Sequence, residues 1–344
     1  MDLSREFSFF KNKTYYLVLL FLSLLTVNNL YSSTPYKIKK IKTPPLESKK
    51  SLDFQSINPS DVKARIGCLQ EVVNILTIEM GRSYKSDLNI KIDGASPWAV
   101  YTQARVLNQK VNRLVYELMG NQLSIPEKVD PRIIKPYHVW TLVEASLKKL
   151  IFILHELGIQ VKLKEFFVEE ATKPDENLML LVKLNRSINN LLLTPFSPND
   201  VYTQVVNSVY LMDSIIEHFP EIDRDVKGII FVRKKKPKHV FEALLESQKT
   251  LSLIFGNHSM IPITIHLTKE IELDTTIIPS DVYDLSNLVT SQIDYLHSKI
   301  CPKTLPRKAF LEKSKLPAHV FKKVKVLNHL LDEFEKVTRQ KDLK

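Results

Sequence analysis

The sequence predicts an all-α protein, a helical-repeat array of about seven or eight long helices. Three observations predict it. The first is a recurring motif, Pro-x-Asp/His-Val followed by an aromatic residue. It reads Pro198-Asn199-Asp200-Val201-Tyr202, Pro237-Lys238-His239-Val240-Phe241, Pro279-Ser280-Asp281-Val282-Tyr283 and Pro317-Ala318-His319-Val320-Phe321. Upstream copies are Pro97-Trp98-Ala99-Val100-Tyr101 and Pro136-Tyr137-His138-Val139-Trp140, with a degenerate first copy at Pro59-Ser60-Asp61-Val62-Lys63. The motif prolines lie 38, 39, 62, 39, 42 and 38 residues apart, and a period near 40 marks a repeat architecture. The second observation is the pattern after each motif. Apolar residues step by four and three, as in Val62, Ile66, Leu69, Val73 and Leu76, which is one stripe of an α-helix. The third is glycine scarcity. Only 7 glycines in 344 residues argue against Gly-rich phosphate loops and for helix.

Each motif reads as a helix start. Proline suits the first helical position, where its missing N–H is no loss. Asn58, Ser96 and Ser197 precede it as N-cap residues, and Asp at the third position suits the positive end of the helix dipole. The stripes run for about 20 residues, or roughly 30 Å at 1.5 Å per residue. Gly81, Gly120, Gly158 and Gly256 then fit left-handed C-terminal caps, and Pro220 and Pro302 end two further helices.

The connectors are too long for tight hairpins, and two arrangements fit them. Parallel helices would have extended connectors returning over them. Helix–turn–helix units would instead hold a short second helix in each connector, as residues Arg307 to Lys315 suggest. The second is preferred, because long irregular loops are uncommon in compact folds. In the longer gap, Pro174-Asp175-Glu176 and the apolar residues after it lie in phase with Pro136. They predict an extra helix, read as a diverged repeat whose connector was lost. The general plan resembles helical-repeat solenoids, without a named repeat consensus.

The chain thus divides into 1–31, a signal peptide or signal anchor; 32–55, a basic linker; 56–160, repeats one to three; 161–196, the extra helix or diverged repeat; and 197–344, repeats four to seven. Arg5, Lys11 and Lys13 precede the apolar run Tyr15 to Val27, a signal pattern short for a spanning helix. Export to the periplasm or cell surface is expected, with residues 14–31 cleaved or retained as an inner-membrane anchor. Export permits disulfides, but Cys68 and Cys301 are read as unpaired and buried.

Function is less legible. The Asp/His position (His138, Asp200, His239, Asp281, His319) offers ligand and acid–base chemistry, but a helix cap or a bond to the neighbouring repeat is the preferred reading. The motif aromatics Tyr101, Trp140, Tyr202, Phe241, Tyr283 and Phe321 suit either a groove or packing between repeats. Ser146, Ser208, Ser247 and Ser286 interrupt the stripes as small residues allowing close helix approach. Arg233-Lys234-Lys235-Lys236 is the densest basic run in a chain of net charge +11, which favours acidic partners. The expectation is an exported, non-enzymatic binding or scaffold protein without cofactor or metal. Its partner would be a protein or an anionic envelope component, and no nucleic acid is expected. The alternative is a periplasmic small-ligand, metal or pH sensor using the Asp/His row.

Overall fold

A computed structural model describes residues 56–83, 90–163, 166, 171–258, 260, 262–267 and 277–342, all within one compact unit. The expected signal segment and the whole of the basic linker lie outside the described residues. Eight helices are described: α1 (Pro59–Glu79), α2 (Pro97–Met119), α3 (Pro136–Glu156), α4 (Pro174–Leu191), α5 (Pro198–Ile216), α6 (Pro237–Asn257), α7 (Pro279–Ile300) and α8 (Pro317–Asp342). Two short strands, β1 (Ile90–Asp93) and β2 (Thr264–Leu267), pair antiparallel with Ile90 opposite Leu267. The fold is an all-α helical array, and every described helix opens on a proline.

The helices close into two rings of four. In the first, α1 packs on α3, α3 on α2, α2 on α4 and α4 back on α1. In the second, α5 packs on α7, α7 on α6, α6 on α8 and α8 back on α5. Adding four to each label of the first ring gives the second, so the chain is a structural duplication of a four-helix unit. The halves meet through α2 and α4 against α7, and through the β1–β2 pair. Consecutive repeats are therefore not stacked in line, as a solenoid plan has them. Instead α1 and α2 stand on one diagonal of a closed ring.

Within each ring the helices are parallel. Pro198, Val201, Pro237, Val240, Pro279, Val282, Pro317 and Val320 surround one small cavity of about 20 Å³, so four helix starts meet at one end. In the first ring, Asn177 Nδ2 donates to Pro59 O at 2.9 Å, and Thr172 N donates to Ser60 Oγ at 3.2 Å. The helix–turn–helix expectation is thereby corrected. Residues 307–315 form no helix. Their connector runs back along α5: Thr304 lies beside Ser214, Ala309 N donates to Asn207 Oδ1, and Lys315 N donates to Asn199 Oδ1. The reason is reach. A parallel neighbour requires a return of about 30 Å, and sixteen extended residues span roughly 50 Å.

The cores follow the motif. Val62, Val100, Val139, Val201, Val240, Val282 and Val320 are all buried, each stabilising the fold by about 1.5 kcal/mol. In α4 this position is Asn177, also buried. That substitution hides the fourth copy of the motif from a pattern search. The connector after α4 is only six residues long, which links the halves directly.

Two helix-end details differ from the sequence reading. Gly120 does adopt the left-handed conformation, at φ 70°, and caps α2 through a bond to Tyr116 O. Gly256 lies inside the last turn of α6, and His258 is the cap residue there. Ser197 does not accept from the α5 turn. Its hydroxyl donates to Asp200 Oδ2 at 2.6 Å.

Candidate binding face

The Asp/His position is the third residue of the helix, and in the seven helices other than α2, where it is Ala99, its geometry is uniform. His138 Nδ1 accepts from Lys135 N at 3.0 Å, His239 Nδ1 from Lys236 N at 2.9 Å, and His319 Nδ1 from Leu316 N at 3.0 Å. Asp200 Oδ2 accepts from Ser197 N at 2.7 Å, and Asp281 Oδ2 from Ile278 N at 3.0 Å. Asp61 and Glu176 do the same for Asn58 N and Lys173 N. Each side chain reaches back to the N-cap N–H, the reciprocal half of a capping box. The only chemical requirement is an acceptor at the right reach, and carboxylate and neutral imidazole both supply one. Among the described residues no group of three or more His, Cys, Asp and Glu is placed to hold a metal ion. Burial pushes the His138 imidazole below its ordinary value, the direction that keeps Nδ1 an acceptor.

The motif aromatics do not line one shared groove. Four of them bear the segments that return to the helix starts. Tyr101 Oη accepts from Val129 N at 3.0 Å, Lys315 sits over Tyr202 at 4.5 Å, Lys235 over Phe321 at 4.2 Å, and Tyr283 stacks on Phe196 at 3.9 Å. Trp140 faces Arg65, and Phe241 is buried beside the junction of the halves. The interrupting serines are more than small. Ser247 Oγ donates to Asn328 Oδ1, Asn108 Nδ2 to Ser146 Oγ at 2.9 Å, and Ser208 pairs with Thr290 at 2.7 Å, each across two adjacent helices. Ser286 bonds within its own helix, to Tyr283 O.

Sequence reading missed the polar junction between the halves. Lys110, 2% exposed, is bonded to Asp284 and to Asn185 O, and Asn189 Nδ2 donates to Asp284 at 2.7 Å. Arg186 Nε donates to Asp281 Oδ1 at 3.1 Å. Burial pushes the Lys110 ammonium down and the Asp284 carboxyl up, and their mutual attraction offsets part of each shift. A cavity of about 50 Å³ adjoins them, reached by Gln103 Nε2 and Asn185 Oδ1 without protein partners. No periodicity announces such a pairing, because its members are up to 174 residues apart.

Cys68 and Cys301 are buried and unpaired with one another. Cys301 Sγ lies 3.3 Å from His218 Nδ1, but burial pushes its thiol up, opposite to what an activated thiolate needs.

The basic run belongs to a larger surface. Both flanks of α8 carry a returning connector. Residues 226–236 lie over the groove between α6 and α8, where Ile229, Ile230 and Val232 face Glu246, Phe321 and Lys325. Residues 301–316 lie along α5, the other neighbour of α8. Together these two stretches hold ten basic residues and one acidic residue. The acidic residues of the first connector, from Glu217 to Asp225, sit at its other end, just after α5. Arg233, Lys234, Arg307 and Lys308 are exposed. So are large apolar side chains: Leu305 is 97% exposed, Phe310 88% and Ile230 74%. Among the described residues no helix is long and apolar enough to cross a membrane.

No protein-family model matches the chain, and neither a curated protein nor a solved structure does.

Proposed function

We propose that the protein is a non-enzymatic binding or scaffold protein whose working surface is the basic, apolar face flanking α8, presented to an anionic partner. One observation carries this reading: the duplication is symmetric in fold and asymmetric in charge. The connector between α3 and α4 has the same position in the chain order of the first ring as residues 301–316 have in the second. Residues 157–173 hold three basic and three acidic residues, against five and one for residues 301–316. Clustered cations raise the local concentration of anionic partners and speed their capture. The export expected from the N-terminal sequence would put this face among envelope components.

A sensor built on the Asp/His row is the weaker reading. Any ligand there would compete with the five backbone caps that these residues form.

The test uses the full chain and a variant carrying Arg233→Glu, Lys234→Glu, Arg307→Glu and Lys308→Glu. All four side chains are exposed, so the fold should be kept. Retention on an immobilised polyanion and crosslinking to envelope fractions should both fall steeply in the variant. Undiminished retention and crosslinking would sink the proposal. Protease protection in intact cells tests the export expectation separately.

A further inference from the structure

The face flanking α8 has the makeup of a surface that sits in a lipid headgroup layer. We infer that it docks on an anionic phospholipid bilayer, with Leu305, Phe310 and Ile230 entering the boundary between headgroups and acyl chains. This deepens the proposed anionic binding face and rests on it.

Three features favour lipid over a protein partner. The first is how far the apolar groups stand out. Folded proteins expose many apolar atoms, but whole side chains such as Leu305 at 97% and Phe310 at 88% are almost fully hydrated. A protein partner would need deep sockets to bury them. A fluid interface supplies that burial without matched shape, and binding there scales with buried apolar area plus attraction to anionic lipid. The second is interleaving. Phe231 and Val232 precede Arg233 and Lys234, while Leu305 and Phe310 bracket Arg307 and Lys308. Cations and apolar side chains thus adjoin along the chain, which suits phosphates and acyl chains met at nearly the same depth. The third is support from below. Lys315 and Lys235 turn inward onto Tyr202 and Phe321. Ala309 N and Lys315 N are held by Asn207 and Asn199. Lys234 and Ser314, each three residues before a helix proline, both hold left-handed φ near 60°. The two connectors are thus anchored at equivalent points, and their exposed apolar groups project from a fixed base. Little ordering entropy is then left to lose on docking.

The test places a polarity-sensitive fluorophore on Phe310→Cys in the full chain. The native Cys68 and Cys301 are buried, so labelling is selective. Vesicles containing phosphatidylglycerol should shift the emission to the blue, and neutral phosphatidylcholine vesicles should not. The shift should fade in high salt, which screens exposed charges. Each cation reversed among Arg233, Lys234, Arg307 and Lys308 should lower vesicle partitioning at least about fivefold. Leu305→Ser should weaken binding without touching retention on a polyanion. Because the reporter is local, attachment through residues 14–31 would leave it dark. No shift with either vesicle overturns the bilayer assignment. If the charge-reversed variant has nonetheless lost polyanion retention, the anionic-face reading survives with a protein or polymer as partner. If retention is also unchanged, both fall.

Discussion

His239 looks reactive in sequence and acts as punctuation in the structure. Its Nδ1 holds Lys236 N at 2.9 Å, and the same bond recurs at His138 and His319 with backbone donors. Removing such an acceptor costs about 1 kcal/mol. His239→Ala should therefore lower urea stability by about that amount, and His239→Asp should retain it. Equal stability of the two variants would contradict the capping role. His138 adds a pH dependence of known sign. Burial holds its folded-state pKa below the ordinary value, so the unfolded chain binds the proton more readily. Stability is then full above about pH 6.5 and falls as pH drops below it. Urea midpoints from pH 8 to 5 should decline for wild type and decline less for His138→Asp. The two residue types were legible in the sequence. So was their capping role, the preferred reading, although a ligand and a cap require the same lone pair.

At the level of elements, helix starts and stripes were readable because proline at the first turn and a four–three apolar step are local properties. Their mutual direction was not readable. Parallel and antiparallel neighbours place the same valines in the core, and only the path of the connectors distinguishes them. The position of Asn177 shows a second limit: a buried asparagine bonded to Pro59 O replaces the motif valine, and a pattern search passes over it. The polar layer across helices is similar. Ser247, buried on α6, donates to Asn328 on α8, whose Nδ2 donates to Ala243 O at 3.0 Å. Ser247→Ala leaves the Asn328 oxygen with less than it needs in a dry place, which costs about 1 to 3 kcal/mol. Replacing Asn328 by leucine as well should recover part of that loss. Additive losses in the double mutant would show that the two groups are not coupled.

For the whole molecule, the decisive feature is that two rings fold as one unit. Their cores divide between Phe196 and Val201, yet Ile263 and Leu288 of the second half belong to the first core, and Ile265, Tyr283 and Tyr295 pack against both. Trp98 Nε1 in the first ring donates to Ser291 O in the second at 2.8 Å. The Lys110–Asp284 pair is a deeply desolvated ionic link between them. A buried pair adds little over a well-packed apolar replacement, but removing one partner strands a charge and costs about 3 to 5 kcal/mol. Lys110→Met should therefore weaken the junction more than either ring. Trp98 and Trp140, the protein's two tryptophans, both stand on helices of the first ring, Trp98 at the junction, so fluorescence reports that ring and its contact with the second while far-UV circular dichroism reports all eight helices. In wild type the two urea transitions should coincide, as one cooperative unit requires. In Lys110→Met they should separate, and adding Asp284→Leu should bring them back together. Separate transitions in wild type would mean that the rings are independent domains resting on each other, and that the junction is an ornament of the duplication rather than its clamp.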